Sequence, residues 1–433
     1  MRNRIPFRRL GAAAALAAAL GVAAGCSDVL EVNNPGAVND PDLDLPENIA
    51  LLSKAPLAAF QLAIDDIGFF GGVLTDEVLT GHNFNGIIDM DLRIIKEDNT
   101  SLPSIYNPIQ RMRHVGEQVA DRLKAQPDSL RRVDVAFALT VAGWGNEYLA
   151  EYFCESPVSP TGAALSSAQI SERAVAYFTE ALTLAHPDSA AARASVPGED
   201  VVNLANLGLA RAYLQLGRKA DAAAAAAKVD PDWSFRIRYS PNSTAENNTF
   251  FDATQGSNRN LGVDVRFRNL NDPRIRHASA DSVGHNRSTR LFTPYLTRLF
   301  EGWTPTTLAI WSRDTDMFAF QGLEARYIRA EAEGATALTR TLVNERRAVG
   351  GQGPLAPTAT ADQVMAELRE QKARDFYLGG TRLGDLRRYA AQGVDDPRHV
   401  FPSGAYPNAL FGGYEDDTCF IPTAAERVGN PNY

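Results

Sequence analysis

Apolar residues recur at helical spacing through long stretches of the chain. Such stretches run from Pro46 to Asp66, from Ser104 to Ala125 and from Asp128 to Phe153. A spacing of three or four residues places apolar side chains on one face of a helix, where they can pack against a core. The pattern therefore predicts a mostly α-helical protein with long helices in its N-terminal half.

Two pairs of shorter helices are predicted near the C-terminus. The first pair covers residues 323–338 and 339–349. The second runs from Leu368 to Tyr389 and is interrupted by Gly379 and Gly380, which can adopt the left-handed conformation that ends a helix. Thr381 follows, as a candidate N-cap of the next helix. Each pair is expected to form an αα-hairpin.

Small and aromatic residues in the middle of the chain have the spacing of tetratricopeptide repeats. Ala174, Phe178 and Ala181 match the second helix of one repeat, and Leu209 to Ala222 matches both helices of another. Small residues let such helices pack closely. We therefore predict helical repeats over about 104–232 and again over about 321–392.

The stretch 233–320 breaks this pattern. It is rich in Asn, Thr, Arg, Ser and aromatic residues and has little helical periodicity. Short strands and loops inserted between the repeats are expected here, and we call this stretch the insert. The tail, 393–433, contains many prolines and aromatic residues and is predicted to be irregular. A single domain is expected over 47–433.

The N-terminus has the features of a bacterial lipoprotein signal peptide. Several arginines precede an apolar run from Gly11 to Ala24, which is too short to span a bilayer comfortably. The run ends in Ala23-Ala24-Gly25-Cys26. Residues 1–25 are therefore predicted to be removed, with lipid attached to Cys26. An ordinary signal peptide cut near Ala24 is the alternative.

Residues 26–46 are predicted to form a lipid-anchored tether. Asp40, Asp42 and Asp44 alternate like the start of a calcium loop, but Leu45 and Leu51 stand where that loop needs glycine and glutamate. We interpret these residues as a solvated linker that binds no metal. No later stretch is expected to cross a membrane, so the protein is predicted to be tethered rather than embedded.

Composition narrows the function further. The chain has 433 residues and a formal net charge of −9, without a basic run, which argues against nucleic acid as a partner. Cys154 and Cys419 remain after Cys26. In the oxidising compartment that the signal peptide implies they are a natural disulfide pair, and two separate buried thiols are the alternative.

No catalytic motif is present. The nucleophile-elbow, zinc-protease, phosphate-loop and dinucleotide patterns are all missing, and no two histidines have metal-ligand spacing. Asp65-Asp66 and Asp89/Asp91 are the most obvious carboxylate pairs for a glycosidase, but they are interpreted as solvated helix ends and loop charges. The sequence therefore predicts a binding protein without enzymatic activity, metal or cofactor.

The C-terminal hairpin resembles the signature of the SusD/RagB family. Gln371, Lys372 and Gly379 depart from that signature. The matching positions are Arg374, Asp375, Gly380, Arg382, Asp385, Leu386, Arg387 and Arg388. The sequences DVLEVNNPG, after Cys26, and CFIPTAAERVGNPN, from Cys419 to Asn432, also resemble the two ends of the family. The resemblance extends along the mature chain and is weakest in the insert.

This resemblance implies a fold and a role. It implies a SusD-like scaffold of tetratricopeptide-type hairpins, in which the C-terminal signature is structural and loops above the scaffold carry the ligand site. The expected ligand is a glycan or, alternatively, a peptide. The expected partner is a SusC-type TonB-dependent transporter, and the expected location is the surface of the outer membrane.

A second hypothesis comes from the repeats alone. A tetratricopeptide scaffold lipoprotein that assembles envelope proteins would need no small ligand. About ninety aromatic, polar and non-helical residues in the insert favour the binding protein, because a pure scaffold has no use for them.

Aromatic residues of the loops are the candidate ligand platform. Sugars present apolar C–H faces to aromatic rings and hydroxyl groups to polar side chains. Glycine and proline around Trp303 indicate exposed turns. The alternative for each tryptophan is that its side chain fills a local part of the core. The candidates in the insert are Trp303, Trp311 and Tyr295, and those in the N-terminal half are His82, Phe84 and Asn85.

The lipid anchor can be tested directly. Because several acyl chains on one cysteine hold a protein firmly on a membrane, Cys26→Ala is expected to move the protein from the membrane pellet to the soluble fraction. Fractionation with and without detergent measures this. Retention of Cys26→Ala in the pellet with unchanged detergent behaviour would show that the anchor lies elsewhere.

Overall fold

The computed structural model describes Val38 and residues 40–126, 132–255, 260–279 and 282–433. The predicted signal peptide and Cys26 lie outside these residues. The chain divides into two compact units, Met1–Ile49 and Ala50–Tyr433. In the described part of the first unit, Asp40–Asp44 forms a 3₁₀-helix within the stretch predicted to be a tether.

The fold is mostly α-helical, as predicted. Helices before the insert are α1 (Ile49–Leu52), α2 (Ala55–Leu74), α3 (Asn85–Asp91), α4 (Pro103–Lys124), α5 (Arg132–Tyr152), α6 (Ser167–Leu184), α7 (Gly198–Gln215) and α8 (Lys219–Ala226). Helices in the insert and after it are α9 (Thr249–Thr254), α10 (Val265–Arg268), α11 (Gly322–Glu333), α12 (Ala337–Val349), α13 (Ala361–Asp375), α14 (Arg382–Ala391) and α15 (Ala424–Gly429).

Strands are short and occur in two-stranded antiparallel ladders. The pairs are β1 (Val78–Thr80) with β5 (Leu261–Val263), β2 (Glu155–Ser156) with β3 (Leu165–Ser166), β4 (Ser234–Ile237) with β8 (Met317–Gln321), and β6 (Ser282–Val283) with β7 (Arg290–Leu291). Ser234 at the start of the insert pairs with Gln321 just after its end. The insert therefore returns to the point where it left the helical scaffold. Its strand β5 also pairs with β1, the strand that follows α2.

Several boundaries differ from the sequence-based predictions. Asn85, expected in a loop, is the first residue of α3, and the insert contains the short helices α9 and α10. The segment Ile49–Leu74 is apolar and long enough to cross a membrane by composition, which corrects the expectation that no such stretch follows the signal peptide. Within this segment, 72% of the most apolar stretch of 18 residues is buried inside the fold. The segment therefore belongs to the core.

Close helix packing in the repeats depends on one aromatic ring between two glycines. Phe178 of α6 is fully buried. A Cβ atom added at Gly208 of α7 would lie 2.2 Å from this ring, and one at Gly143 of α5 would lie 2.6 Å from it. Both distances are shorter than any real contact, so only glycine lets the three helices approach each other here.

Buried charges hold the C-terminal hairpin of α13 and α14. Asp375, whose side chain is fully buried, accepts hydrogen bonds from Arg346 at 2.9 and 2.8 Å and from the Tyr327 hydroxyl at 2.6 Å. Arg274 of the insert lies 3.1 Å from the same carboxylate. Burial opposes ionisation, but the charge of Arg274, followed by those of Arg298 and Arg346, outweighs it and holds the pKa of Asp375 well below its usual range.

The other signature residues bind elements from distant parts of the chain. Arg382 forms a bidentate pair with Asp76, at 2.7 and 2.5 Å. Arg388 pairs with Glu331 of α11, donating two hydrogen bonds of 2.9 Å each. Arg387 donates to the carbonyls of residues 150, 151 and 153 at the end of α5. These partners give the segment the structural role that the family resemblance implies.

The turn between α13 and α14 differs in detail from the prediction. Gly380 has the expected positive φ of 75°, but the other left-handed residue is Leu378, with φ of 62°, rather than Gly379. Thr381 occupies the N-cap position without making a side-chain capping bond. Leu378 tolerates its backbone strain because its N–H donates to Glu77 Oε1 at 2.9 Å and its side chain is fully buried.

A disulfide joins Cys154 and Cys419, with a Cα–Cα distance of 5.2 Å. The bond lies beside backbone hydrogen bonds between the two segments, from Cys154 N to Phe420 O at 2.9 Å and from Phe420 N to Tyr152 O at 2.8 Å. It therefore fixes the C-terminal tail to the end of α5.

Removing the disulfide should destabilise the fold. The bond closes a separation of 265 residues, for which the chain-entropy account gives a free energy of about 5 kcal/mol as an upper value. The double variant Cys154→Ser/Cys419→Ser should therefore unfold at a lower denaturant concentration, measured by circular dichroism. Wild-type protein under reducing conditions should match it. An unchanged midpoint in both experiments would show that the bond contributes no stability.

Candidate functional site

A cleft opens between helix α2 and the insert. Its larger part has a volume of about 570 Å³ and is lined by Asp65 and Asp66 of α2, residues 238–240 and 244–247, and Thr249 and Asp252 of α9. A smaller part of about 270 Å³ also includes Thr249 and Asp252. Because the two parts share these residues, we treat them as one site and call it the insert cleft. Its size is typical of small-molecule sites.

Helix α9 is fixed against α2 through two carboxyl groups. The backbone N–H of Thr249 donates to Asp65 Oδ2 at 2.6 Å, and the Thr249 hydroxyl donates to Asp66 Oδ1 at 3.0 Å. Asn248 caps α9 by accepting from the N–H of Phe250 at 2.8 Å, and its amide donates to Thr315 O at 2.8 Å. Hydrogen bonds between residues that are far apart in the sequence therefore fix the position of α9 in the cleft.

The two aspartates are held in an environment that disfavours their charge. Burial raises the pKa of Asp65 to about 6, against the lowering effect of hydrogen bonds from Thr249. Burial, followed by the negative charge of Asp65, raises the pKa of Asp66 to about 8. Asp65 is only 3% exposed and Asp66 is half-buried, and both lie inside α2 rather than at its end, so the prediction that this pair is a solvated helix end is wrong.

Tyr239 of the insert also lines the cleft. It follows β4, and its backbone N–H donates to Asp316 Oδ1 at 3.1 Å. Its hydroxyl oxygen is buried and has no hydrogen-bond partner among the described residues. A buried hydroxyl without a partner loses free energy compared with its state in water, so this group has an unused capacity for hydrogen bonding beside the cleft.

Two loops meet at the smaller part of the cleft. A Cβ atom added at Gly81 would lie 2.7 Å from the Cα of Gly284, so the two backbones touch. Asn286 N donates to Gly81 O at 2.8 Å across the same contact. This approach places His82 and His285 together on the cleft wall. Burial, followed by the nearby charge of His285, lowers the pKa of His82.

Phe84 presents an exposed aromatic ring at this end. The side chain is 62% exposed. Its ring centroid lies 4.2 Å from that of His82, and its N–H donates to His82 Nδ1 at 3.0 Å. The loop 82–84 therefore places two rings side by side, where the apolar face of a ligand can pack against them.

The remaining candidate residues lie elsewhere. Trp311 is 1% exposed and packs on Phe250 and Phe300 with ring centroids 5.3 and 5.2 Å apart. Its assignment as a ligand platform is wrong, because the insert has an aromatic core of its own and Trp311 fills it. Trp303 is half-buried, with its indole N–H 3.4 Å from Pro273 O.

Tyr295 and Asn85 do not line the insert cleft either. Tyr295 is half-buried, and Asn85 is the exposed first residue of α3. Asp89 and Asp91 have different surroundings. Asp89 pairs with Lys96, whereas Asp91 is buried and accepts from the backbone of Thr80 and the hydroxyl of Tyr406, so Asp91 is not a loop charge.

Sequence reasoning missed most of the residues that line the cleft. Tyr239, Thr249, Asp252, Asn260 and His285 have no motif and come together only through the β4–β8 and β1–β5 ladders. Asp65 could have been noticed, since it stands between the buried residues Ile64 and Ile67 of an apolar helix.

Solved structures with the same fold are SusD-like proteins. A SusD superfamily protein from Bacteroides vulgatus is 15% identical, with 89% of this chain and 97% of that chain covered and a TM-score of 0.65. Surface glycan-binding protein A from Bacteroides uniformis is 14% identical, with coverage of 88% and 98% and a TM-score of 0.64. A laminarin-binding SusD-like protein is 15% identical, with coverage of 88% and 99% and a TM-score of 0.57.

No protein-family model matches the chain, and no curated protein does. The structural matches cover nearly the full length of the solved chains, so the protein has a complete SusD-like fold. This confirms the fold class expected from the C-terminal hairpin.

The two tryptophans of the insert should respond differently to truncation. Trp311→Ala removes a buried ring and should lower the free energy of unfolding by about 3–5 kcal/mol. Trp303→Ala removes a half-buried ring and should cost clearly less. Chemical denaturation of both variants measures the difference. Equal losses would contradict the different burial of the two rings.

Proposed function

We propose that this protein binds oligosaccharide in the insert cleft at the cell surface. The observation that carries the proposal is a SusD-like fold whose insert frames a cleft of ligand size beside an exposed aromatic ring. Among the solved proteins with this fold, one is named a surface glycan-binding protein and another laminarin-binding.

The chemistry of the cleft suits a sugar. Phe84 and His82 offer ring faces for the apolar C–H side of a pyranose. Thr249, Tyr239 and the carboxyl groups offer hydrogen bonds to hydroxyl groups. A mostly preformed cleft with a few polar groups is the usual design of a small-ligand site. We infer binding without catalysis, and no cofactor is part of the proposal.

The proposal includes the cellular setting. Ala23-Ala24-Gly25-Cys26 supports a lipid anchor on the outer membrane. The resemblance of the C-terminal hairpin to SusD/RagB proteins supports delivery of the ligand to a SusC-type TonB-dependent transporter. Co-purification of a β-barrel receptor of this type from the native membrane tests the partnership.

Truncation of the exposed ring should weaken ligand binding. A glycan array with the purified protein identifies a ligand, and calorimetry then measures its affinity. Phe84→Ala should reduce binding by about 1–3 kcal/mol, by analogy with stacking of bases on aromatic rings, which is about 5- to 150-fold. The melting temperature should change little because the ring is exposed.

Tyr213→Ala is the matched control. Tyr213 is a half-buried aromatic residue of α7 that is covered by the Arg218 guanidinium at 4.3 Å and does not line the cleft. Its removal should leave affinity unchanged. Equal losses in both variants would place the ligand elsewhere, and an array without any bound glycan would contradict the proposed function.

A further inference from the structure

Two carboxyl groups of the insert cleft lie without a cation from the described residues beside them. Several buried carboxylates elsewhere in the fold are paired with cations. Glu370 contacts Arg266 and Arg374, and Asp385 contacts Lys372 and Arg388. Burial alone would raise the pKa of each carboxyl group, but these cations lower both pKa values to about 2.

Asp65 and Asp66 differ from these paired carboxylates. No lysine, arginine or histidine in the part of the chain that the structure describes forms an ion pair with either residue. Their hydrogen-bond donors are the backbone and hydroxyl of Thr249 and the backbone of Asp66. Arg238 lines the same cleft but is exposed and does not reach them. A desolvated carboxylate without a counter-ion is costly.

Other unpaired carboxyl groups differ in one respect. Glu77, Glu147 and Asp264 are buried and also have raised pKa values, of about 8, 8 and 7. None of them lines the insert cleft. Asp65 and Asp66, by contrast, face a cavity of about 570 Å³.

The groups around the aspartate pair add negative rather than positive charge. Glu246 and Asp252 line the same cleft. The unpartnered hydroxyl of Tyr239 is close enough to the pair for the charges of Asp65 and Asp66 to act on it, as does that of Asp316. The positive groups nearby are the exposed Arg238 and Arg313, and Arg313 covers the ring of Phe251 at 5.3 Å. His82 and His285 line the smaller part of the cleft. The larger part, which holds the aspartate pair, thus attracts cations and repels anions.

We propose that the insert cleft selects glycans that carry a free amine, with the ammonium group of a hexosamine seated between Asp65, Asp66 and the Tyr239 hydroxyl. This proposal rests on the proposed function and specifies its ligand class. A metal ion is a poorer candidate, because no group of three or more metal-ligating side chains occurs among the described residues.

An ammonium group can form hydrogen bonds with both carboxyl groups and with the Tyr239 hydroxyl. It has three N–H donors, which match the two carboxyl groups and the hydroxyl oxygen of Tyr239. Its charge favours ionisation of both aspartates, so binding should release a proton from the pair. A neutral sugar hydroxyl could form the same hydrogen bonds but would not supply the missing charge.

The test compares oligosaccharides of equal length that differ at one substituent. Oligomers of β-1,4-linked glucose, N-acetylglucosamine and glucosamine present a hydroxyl, an acetamide and an ammonium group, and calorimetry at mildly acidic pH keeps the amines charged. The glucosamine oligomer should bind about 10-fold or more tightly than the other two. Its heat should vary with the ionisation enthalpy of the buffer, which reports proton release.

The ratio of the affinities for glucosamine and glucose oligomers is the diagnostic quantity. Asp66→Asn should reduce this ratio to about threefold or less, because one charge is removed. The matched control is Asp188→Asn, which removes an exposed carboxylate paired only with His186 outside the cleft and should keep the wild-type ratio. Circular dichroism and melting temperatures confirm that both variants fold.

The possible results separate the two proposals. Binding of neutral oligosaccharides from the array or the series, with no preference for glucosamine, overturns the amine selectivity and leaves glycan binding in place. An unchanged ratio in Asp66→Asn also overturns it. Binding of a lysine-rich peptide with no affinity for any glycan overturns both and shows a peptide-binding protein, and absence of all binding likewise overturns both.

Discussion

The structure depends on pairs of oppositely charged side chains that are buried together. The C-terminal hairpin carries Asp375, Arg382, Asp385 and Arg388 into the interior, where each is at most 5% exposed. Their partners come from the insert, from the turn after α2 and from α11, so these distant segments must assemble around one helix pair. Removing one member of such a pair costs about 3–5 kcal/mol, because the other is left buried and alone. The network thus specifies the arrangement of the fold more than it adds net stability.

The same hairpin determines the position of the candidate site. Tyr377 donates its hydroxyl to Glu77 O at 2.7 Å, and Leu378 N donates to the Glu77 side chain at 2.9 Å. Glu77 directly precedes β1, which pairs with β5 of the insert. The loop carrying His82 and Phe84 leaves the end of that strand. The C-terminal hairpin and the loop that carries His82 and Phe84 are therefore connected through a few hydrogen bonds.

Helical periodicity predicted the scaffold well and the site poorly. The long helices α4 and α5 begin and end within about four residues of their predicted limits, because each buries a continuous apolar face. Trp311 and Asp65 were misjudged for the opposite reason. Local sequence gave Trp311 an exposed turn and gave Asp65 a solvated helix end, whereas burial of each depends on residues such as Phe250 and Thr249 that are far away in the chain. Short strands and charge pairing leave almost no periodic signal.

The disulfide has a consequence for how the thiols of this chain find each other. The sequence has three cysteines, so three different pairings are chemically open to the unfolded chain. Cys419 lies nearest to the C-terminus and so reaches the oxidising compartment last, which leaves Cys26 and Cys154 free to form a wrong bond first. If Cys26 carries lipid as proposed, its sulfur is already occupied, and only the native pair remains. Anchoring the protein would then also remove the ambiguity in its oxidation.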